Sequence, residues 1–117
     1  MNIERVLIKS AVVVTLQVEG THSWPDCPIE AVSFLRNPHR HLFHIKAVKE
    51  VSHDDRDVEI IMLKRAMKHY LKDSYDGDFC TMSCEMLAKD LILMFDLLNC
   101  EVLEDGENGA YLWKTKY

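Results

Sequence analysis

The sequence predicts a single α+β domain spanning residues 1–117, with elements in the order β-β-α-α-β-β and a four-stranded antiparallel sheet carrying two helices on one face. Three observations lead there. A chain of 117 residues is long enough for one hydrophobic core and too short for two. Apolar residues alternate with polar ones at a period of two near the N-terminus and, less cleanly, after a proline-rich gap, and a hairpin closes the chain. Between these stretches the apolar spacing changes to that of an amphipathic helix, twice.

In chain order, Val12, Val14, Leu16 and Val18 alternate with Val13, Thr15, Gln17 and Glu19, the pattern of a half-buried strand whose apolar parity continues through Gly20 and His22. Residues 23–38 hold all three prolines, Pro25, Pro28 and Pro38, with Asp26 and Asn37, and read as a long loop. A second strand follows, with His39, His41, Phe43, Ile45 and Ala47 on one parity and Arg40, Leu42, His44, Lys46 and Val48 on the other. From Asp54 the period lengthens: Ile60, Leu63, Met67 and Leu71 form a helical stripe with Lys64, Lys68 and Lys72 turned outward. Asp54, Asp55, Asp57 and Glu59 crowd its start, where negative charge complements the helix dipole. "DSYDGDF" makes a turn, Ser83 caps a second helix with the stripe Leu87, Leu91, Met94 and Leu98, and Asn99 stops it. "CEVLED" and "AYLWKT", joined by "GENG", close the chain as a hairpin. Such a sheet leaves edges that a small chain must protect or pair with another copy of itself, so a homo-oligomer is expected.

Composition narrows the function classes. With 48% apolar and 28% charged residues the chain is ordinary for a globular protein. Nineteen acidic against fourteen basic residues give a net charge of −5, and no basic stripe interrupts the pattern, which argues against a nucleic-acid partner. The apolar run Ala11–Val14 is broken by Thr15, Gln17 and Glu19 far short of a bilayer span, so neither a signal peptide nor a membrane helix is expected, and the default location is cytoplasmic. Cys27, Cys80, Cys84 and Cys100 contain no CxxC pair, which favours reduced thiols over a disulfide framework. "CTMSC" has the wrong spacing for a zinc knuckle and reads as two packed thiols.

The stretch "NPHRHLFHI", residues 37–45, holds three of the six histidines. If the first two strands pair as antiparallel neighbours, the end of one meets the beginning of the other, and His22 lands beside His39 and His41. His39 and His41 share a face with Cα atoms about 7 Å apart. Three imidazoles arriving from two strands, with a position left for water or substrate, is the donor set of a catalytic Zn²⁺ site. His44 points to the other face, and His53 and His69 read as a loop residue and a helix-surface residue.

Two carboxylates stand out. Glu85 falls in the first turn of the second helix, where it stabilises the free N–H groups. Glu104 ends the third strand at a turn; it is either a solvated acid among Glu101, Asp105 and Glu107 or a cleft-facing acceptor for paired N–H donors of a guanidine-like ligand edge.

With "VEGTH", "HRH", "SCEMLA" and "VLEDGENGA" in this order over nearly the whole chain, the sequence resembles the 6-pyruvoyl-tetrahydropterin synthase and 6-carboxy-tetrahydropterin synthase family. The resemblance implies the tunnelling fold, in which β-β-α-α-β-β subunits assemble into oligomeric barrels. It implies zinc ligands at His22, matching the family's FxAAH pattern, and at His39 and His41, matching its HGH. "SCEMLA" is similar to the family's PTAENLA-like helix start, which places a ligand-binding role on Glu85, and "LED" is similar to its strand-end ET motif, which places the pterin-ring anchor on Glu104. The implied activity is that of a zinc-dependent lyase acting on a reduced pterin or a related purine-derived compound. Three departures accompany it. Leu35 and Arg36 stand where the family has its catalytic Cys, leaving Cys27 as the loop's thiol and candidate nucleophile. "KDSYDGDFCTMS" lacks the family's Asp-His pair; Cys80 or Asp76 could substitute, but a packed thiol and a turn aspartate describe them better. Arg40 replaces the glycine of HGH and would pair with a ligand phosphate or carboxylate, or with a neighbouring acid. The alternative reading is a non-catalytic relative that binds or sequesters a nucleotide-like ligand, and a third is a structural oligomer without metal.

Overall fold

A computed structural model describes residues 6–116; residues 1–5, at the head of the N-terminal segment, and residue 117 lie outside the described residues. The elements are β1 (Ser10–His22), a 3-10 helix (Glu30–Arg36), β2 (His39–Val51), α1 (Ile60–Tyr75), α2 (Cys84–Phe95), β3 (Asn99–Glu104) and β4 (Asn108–Trp113). The four strands form one antiparallel sheet in the order β1-β2-β3-β4, so β1 and β4 are its edges. This is the α+β class and strand-helix order that the alternation and the helical stripes predict. No helix among the described residues is long and apolar enough to cross a membrane.

One face of the sheet is the core. Val14 and Leu16 of β1, Phe43, Ile45 and Ala47 of β2, and Cys100 and Val102 of β3 are buried against Leu63, Met67 and Leu71 of α1 and Leu87, Ala88 and Leu91 of α2. Each large side chain fully buried there contributes about 1.5–3 kcal/mol. The β1–β2 register runs from Ser10↔Val51 to His22↔His39, and β2 pairs β3 from Phe43↔Glu104 to Val48↔Asn99. Because side chains alternate between faces, the parity that buries Phe43 also carries His39 and His41 onto the core side, and that of Leu16 carries His22 there.

Several boundaries differ from the expectation. Helix α1 begins at Ile60, with the Glu59 side chain accepting the Ile61 N–H at 2.7 Å, and its first turn holds no acid. Asp54, Asp55 and Asp57 instead bond Ser10, Arg56 and Ser52, organising the loop before the helix. Ile60 is 51% exposed and drops out of the stripe. In α2, Ser83 is the cap, accepting the Met86 N–H at 3.2 Å, but the helix ends at Phe95 with Asp96 in the left-handed region, φ 52°. Met94 is 53% exposed, Leu98 lies beyond the helix, and Asn99 opens β3 instead of stopping α2; the burial passes to Leu97 in the turn. The hairpin turn is Asp105–Gly106–Glu107, earlier than "GENG", with Asp105 at φ 54° and Gly106 at φ 74°. Cys80 is an exposed turn residue at φ 53°, not a packed thiol.

The link between the helices runs beside the end of β1. Thr21 N–H donates to Gly77 O (2.9 Å), Phe79 N–H to Thr21 O (2.8 Å) and Ser23 N–H to Cys80 O (2.9 Å). Phe79 packs across Gly20, where an added Cβ would sit 2.2 Å from its ring. That docking brings Met82, and with it the start of α2, over His22.

Candidate metal centre

His22, His39, His41 and Glu104 form a group that could hold a metal ion, each offering one donor atom and all four donors lying within 4.8 Å of one another. The cross-strand pair His22↔His39, and His41 one pleat along, supply the imidazoles; Glu104, paired with Phe43 on β3, supplies the carboxylate from the third strand. Imidazole rings His22 and His39 have centroids 4.6 Å apart and His39 and His41 5.0 Å.

The second nitrogen of each ring is committed. His22 Nδ1 lies 2.8 Å from Met82 O, His39 Nδ1 2.9 Å from Asn37 O, and His41 Nδ1 2.7 Å from Asp105 Oδ2. Carbonyl and carboxylate oxygens only accept, so each Nδ1 carries a hydrogen, and a ring in its neutral form presents Nε2 as a lone pair. His22 Nε2 is buried and has no hydrogen-bond partner. Glu104 Oε2 stands 2.8 Å from it and 3.5 Å from His41 Nε2. A lone pair facing a carboxylate oxygen is two acceptors in contact, a repulsive pair unless a proton or a cation sits between them. Tetrahedral donors at the usual zinc distances lie about 3.3–3.5 Å apart, which the His41–Glu104 spacing matches, while the whole group, within 4.8 Å, would draw in around an ion. The residues fit a small divalent ion in donor type and in the Nδ1 bonds that orient each ring.

Asp105 is the residue that sequence reasoning missed. Its Oδ1 accepts the Leu42 N–H at 2.9 Å while Oδ2 takes the His41 ring, and these bonds, the Leu42 one foremost, hold its carboxyl below the ordinary value of 3.8. A ligand histidine backed by a carboxylate is fixed in orientation and made a better donor. The signal that could have exposed it is the acid pair at the end of a strand with a following glycine, since Asp tolerates the left-handed conformation that swings its side chain back.

Beside the donors opens a cleft of ≈ 500 Å³, whose wall includes His22, His39, Glu104, Trp24, Met82 and Glu85. Ser83 and Cys84, at the start of α2, also line it. Burial first, then the charges of Glu104 and Glu85, push the Cys84 thiol up to about 12, so it is protonated at neutral pH. Of the residues singled out in the sequence, Glu85 and Glu104 therefore reach the cleft. Cys27 does not: it is buried within the loop with Sγ toward the carbonyls of Ile29 and Val32. Arg40 does not either, because the strand parity turns it to the opposite face, where it pairs with Glu19. Asp76 serves as the left-handed cap of α1. His53 and His69 make surface pairs with Asp57 and Asp73.

Compared with known proteins, the chain matches no family model, and no curated protein matches it at a significant level.

Proposed function

We propose that this chain is a zinc protein of the tetrahydropterin synthase type, with His22, His39 and His41 as ligands and the adjoining cleft as the seat of a reduced pterin or related purine-derived compound. One observation carries the reading: three rings from two strands, each pinned through Nδ1–H, and the Glu104 carboxylate bring four donor atoms within 4.8 Å of one another. Bound there, zinc supplies Lewis-acid polarisation of a ligand oxygen. The chain's own residues do the rest. Trp24 offers a flat apolar wall for a ring, Glu85 and Glu104 offer acceptors for ring N–H groups, and Asp105 keeps His41 in the binding tautomer. Four free cysteines suit a reducing compartment such as the cytoplasm, and the two sheet edges suit assembly with further copies of the chain.

A second reading, ligand binding or sequestration without turnover, is favoured by the thiols. Cys27 is enclosed in its loop, and the thiol that does line the cleft, Cys84, is held protonated. Metal analysis of protein purified without a histidine tag tests the shared part: about one zinc per chain is expected, lost in His39→Ala and in His41→Ala with the fold retained. Metal-free wild-type protein that folds and assembles normally would overturn both readings. Turnover of a dihydroneopterin triphosphate-type substrate separates the synthase from the binder.

A further inference from the structure

Glu104 occupies two places at once. Its Oε2 lies in the donor cluster, 2.8 Å and 3.5 Å from two of the three ring nitrogens, and its side chain also forms part of the cleft wall. We propose that Glu104 is an exchangeable fourth ligand, whose carboxylate closes the metal centre at rest and must swing off before any molecule in the cleft reaches the ion. The inference rests on the metal reading above and goes beyond it, because three histidines alone would leave the fourth position open.

The local build of the chain suits a mobile plug on a fixed base. Glu104 is the last residue of β3: its backbone is held in register with Phe43 and Asn108, and its carbonyl accepts the Glu107 N–H at 2.9 Å. Its side chain is 30% exposed, against 11% for His22 and 21% for His41, so it has a freer path into open space than either. Charge favours the closed state. Three neutral imidazoles leave a divalent ion with its full charge, and the nearest anion able to complete a four-coordinate set is this carboxylate. Glu104 lines the cleft together with Cys84 while its Oε2 stands among the rings. Asp105, one residue on, cannot replace it, being engaged behind His41.

The plug selects its displacing ligands. A neutral, weakly donating oxygen does not compete with a tethered carboxylate, whereas an anionic or readily deprotonated oxygen or nitrogen donor does. If the carboxylate holds its position about 90% of the time, the apparent affinity of an incoming ligand falls about tenfold.

The test uses cobalt(II)-loaded protein, whose visible bands report coordination, titrated with azide. Wild type should bind azide about tenfold more weakly than Glu104→Ala, with the isosteric Glu104→Gln between them. Loss of the ion from both variants, with circular dichroism unchanged and the wild type still loaded, likewise assigns the carboxylate to the metal. Equal azide affinity in wild type and both variants would overturn the plug and leave the three-histidine centre standing. Failure of the wild type to take up cobalt or zinc would remove the centre and the plug together.

Discussion

Replacing Asp105 by Asn changes one atom and should change which nitrogen of His41 carries the proton. In the wild type Oδ1 accepts from Leu42 N–H at 2.9 Å and Oδ2 accepts from His41 Nδ1 at 2.7 Å, so both oxygens act as acceptors. An asparagine has one acceptor and one donor. Keeping the oxygen on the Leu42 N–H, which is fixed in the strand, turns the amide NH₂ toward His41 Nδ1; the ring must then accept there and carry its hydrogen on Nε2. That is the atom facing His22 and Glu104, and a protonated nitrogen cannot bind a metal. Removing an outer partner of a metal-ligating histidine costs about 10–100-fold in metal affinity. Asp105 is 50% exposed, so water replaces part of what is lost, and the expected loss is near the lower end, about tenfold. Zinc affinity is read by competition with a chromophoric chelator, and the tautomer directly from imidazole ¹⁵N shifts in metal-free protein. Asp105→Asn protein with wild-type affinity and His41 still protonated on Nδ1 would refute the reasoning.

Two further outcomes follow from the same geometry. Gly20→Ala places a methyl 2.2 Å from the ring of Phe79, which is itself wedged against Phe43 and Tyr75, so denaturant unfolding should show a loss of about 1–3 kcal/mol; an unchanged midpoint would mean that Phe79 yields freely. Zinc should raise thermal stability by about 2.7 kcal/mol at a free concentration one hundred times its dissociation constant, and the increment should vanish in His41→Ala; an increment of equal size in that variant would place the ion elsewhere.

The sheet and the shared face of the three histidines were legible because both follow from parity alone. Once Val14, Leu16, Phe43 and Ile45 are assigned inward, the positions of His22, His39 and His41 follow without knowledge of the loop between the strands. The end of α2 was not legible for a related reason. Leu91, Ile92, Leu93 and Met94 present apolar residues on every side, so the spacing to Leu98 fits a helix as well as the observed left-handed stop at Asp96 does, and only packing shows that Leu97 is the buried one. Asp105 was hidden by distance along the chain: the bond to His41 spans 64 residues, and among four neighbouring acids nothing local marks which one turns back. Glu104 was legible as a cleft residue but not as a donor, because its place in the cluster depends on the β2–β3 register, which pairs it with Phe43.

The column of residues on the inner face of β2 explains why a metal centre arises at this end of the sheet. From Ala47 through Ile45 and Phe43 the strand is covered by the helices, and exposures there are 0%, 2% and 1%. Two pleats further on, the covering helices give way to the start of α2 and the cleft, and His41 and His39 take over the same column. An apolar side chain at those positions would face the opening of the cleft, and an ordinary polar one would have to satisfy itself half inside the core. Imidazole suits both sides, since its Nδ1–H reaches an acceptor on the neighbouring backbone or turn while its Nε2 points inward. For His22 that inward nitrogen meets the Glu104 carboxylate at 2.8 Å, and as a bare acceptor it would cost about 1–3 kcal/mol. A proton or a cation between His22 Nε2 and Glu104 Oε2 relieves that cost, and the two further imidazoles beside them suit a cation. The physical argument for metal at this site is therefore the gathering of three imidazoles and a carboxylate within 4.8 Å of one another.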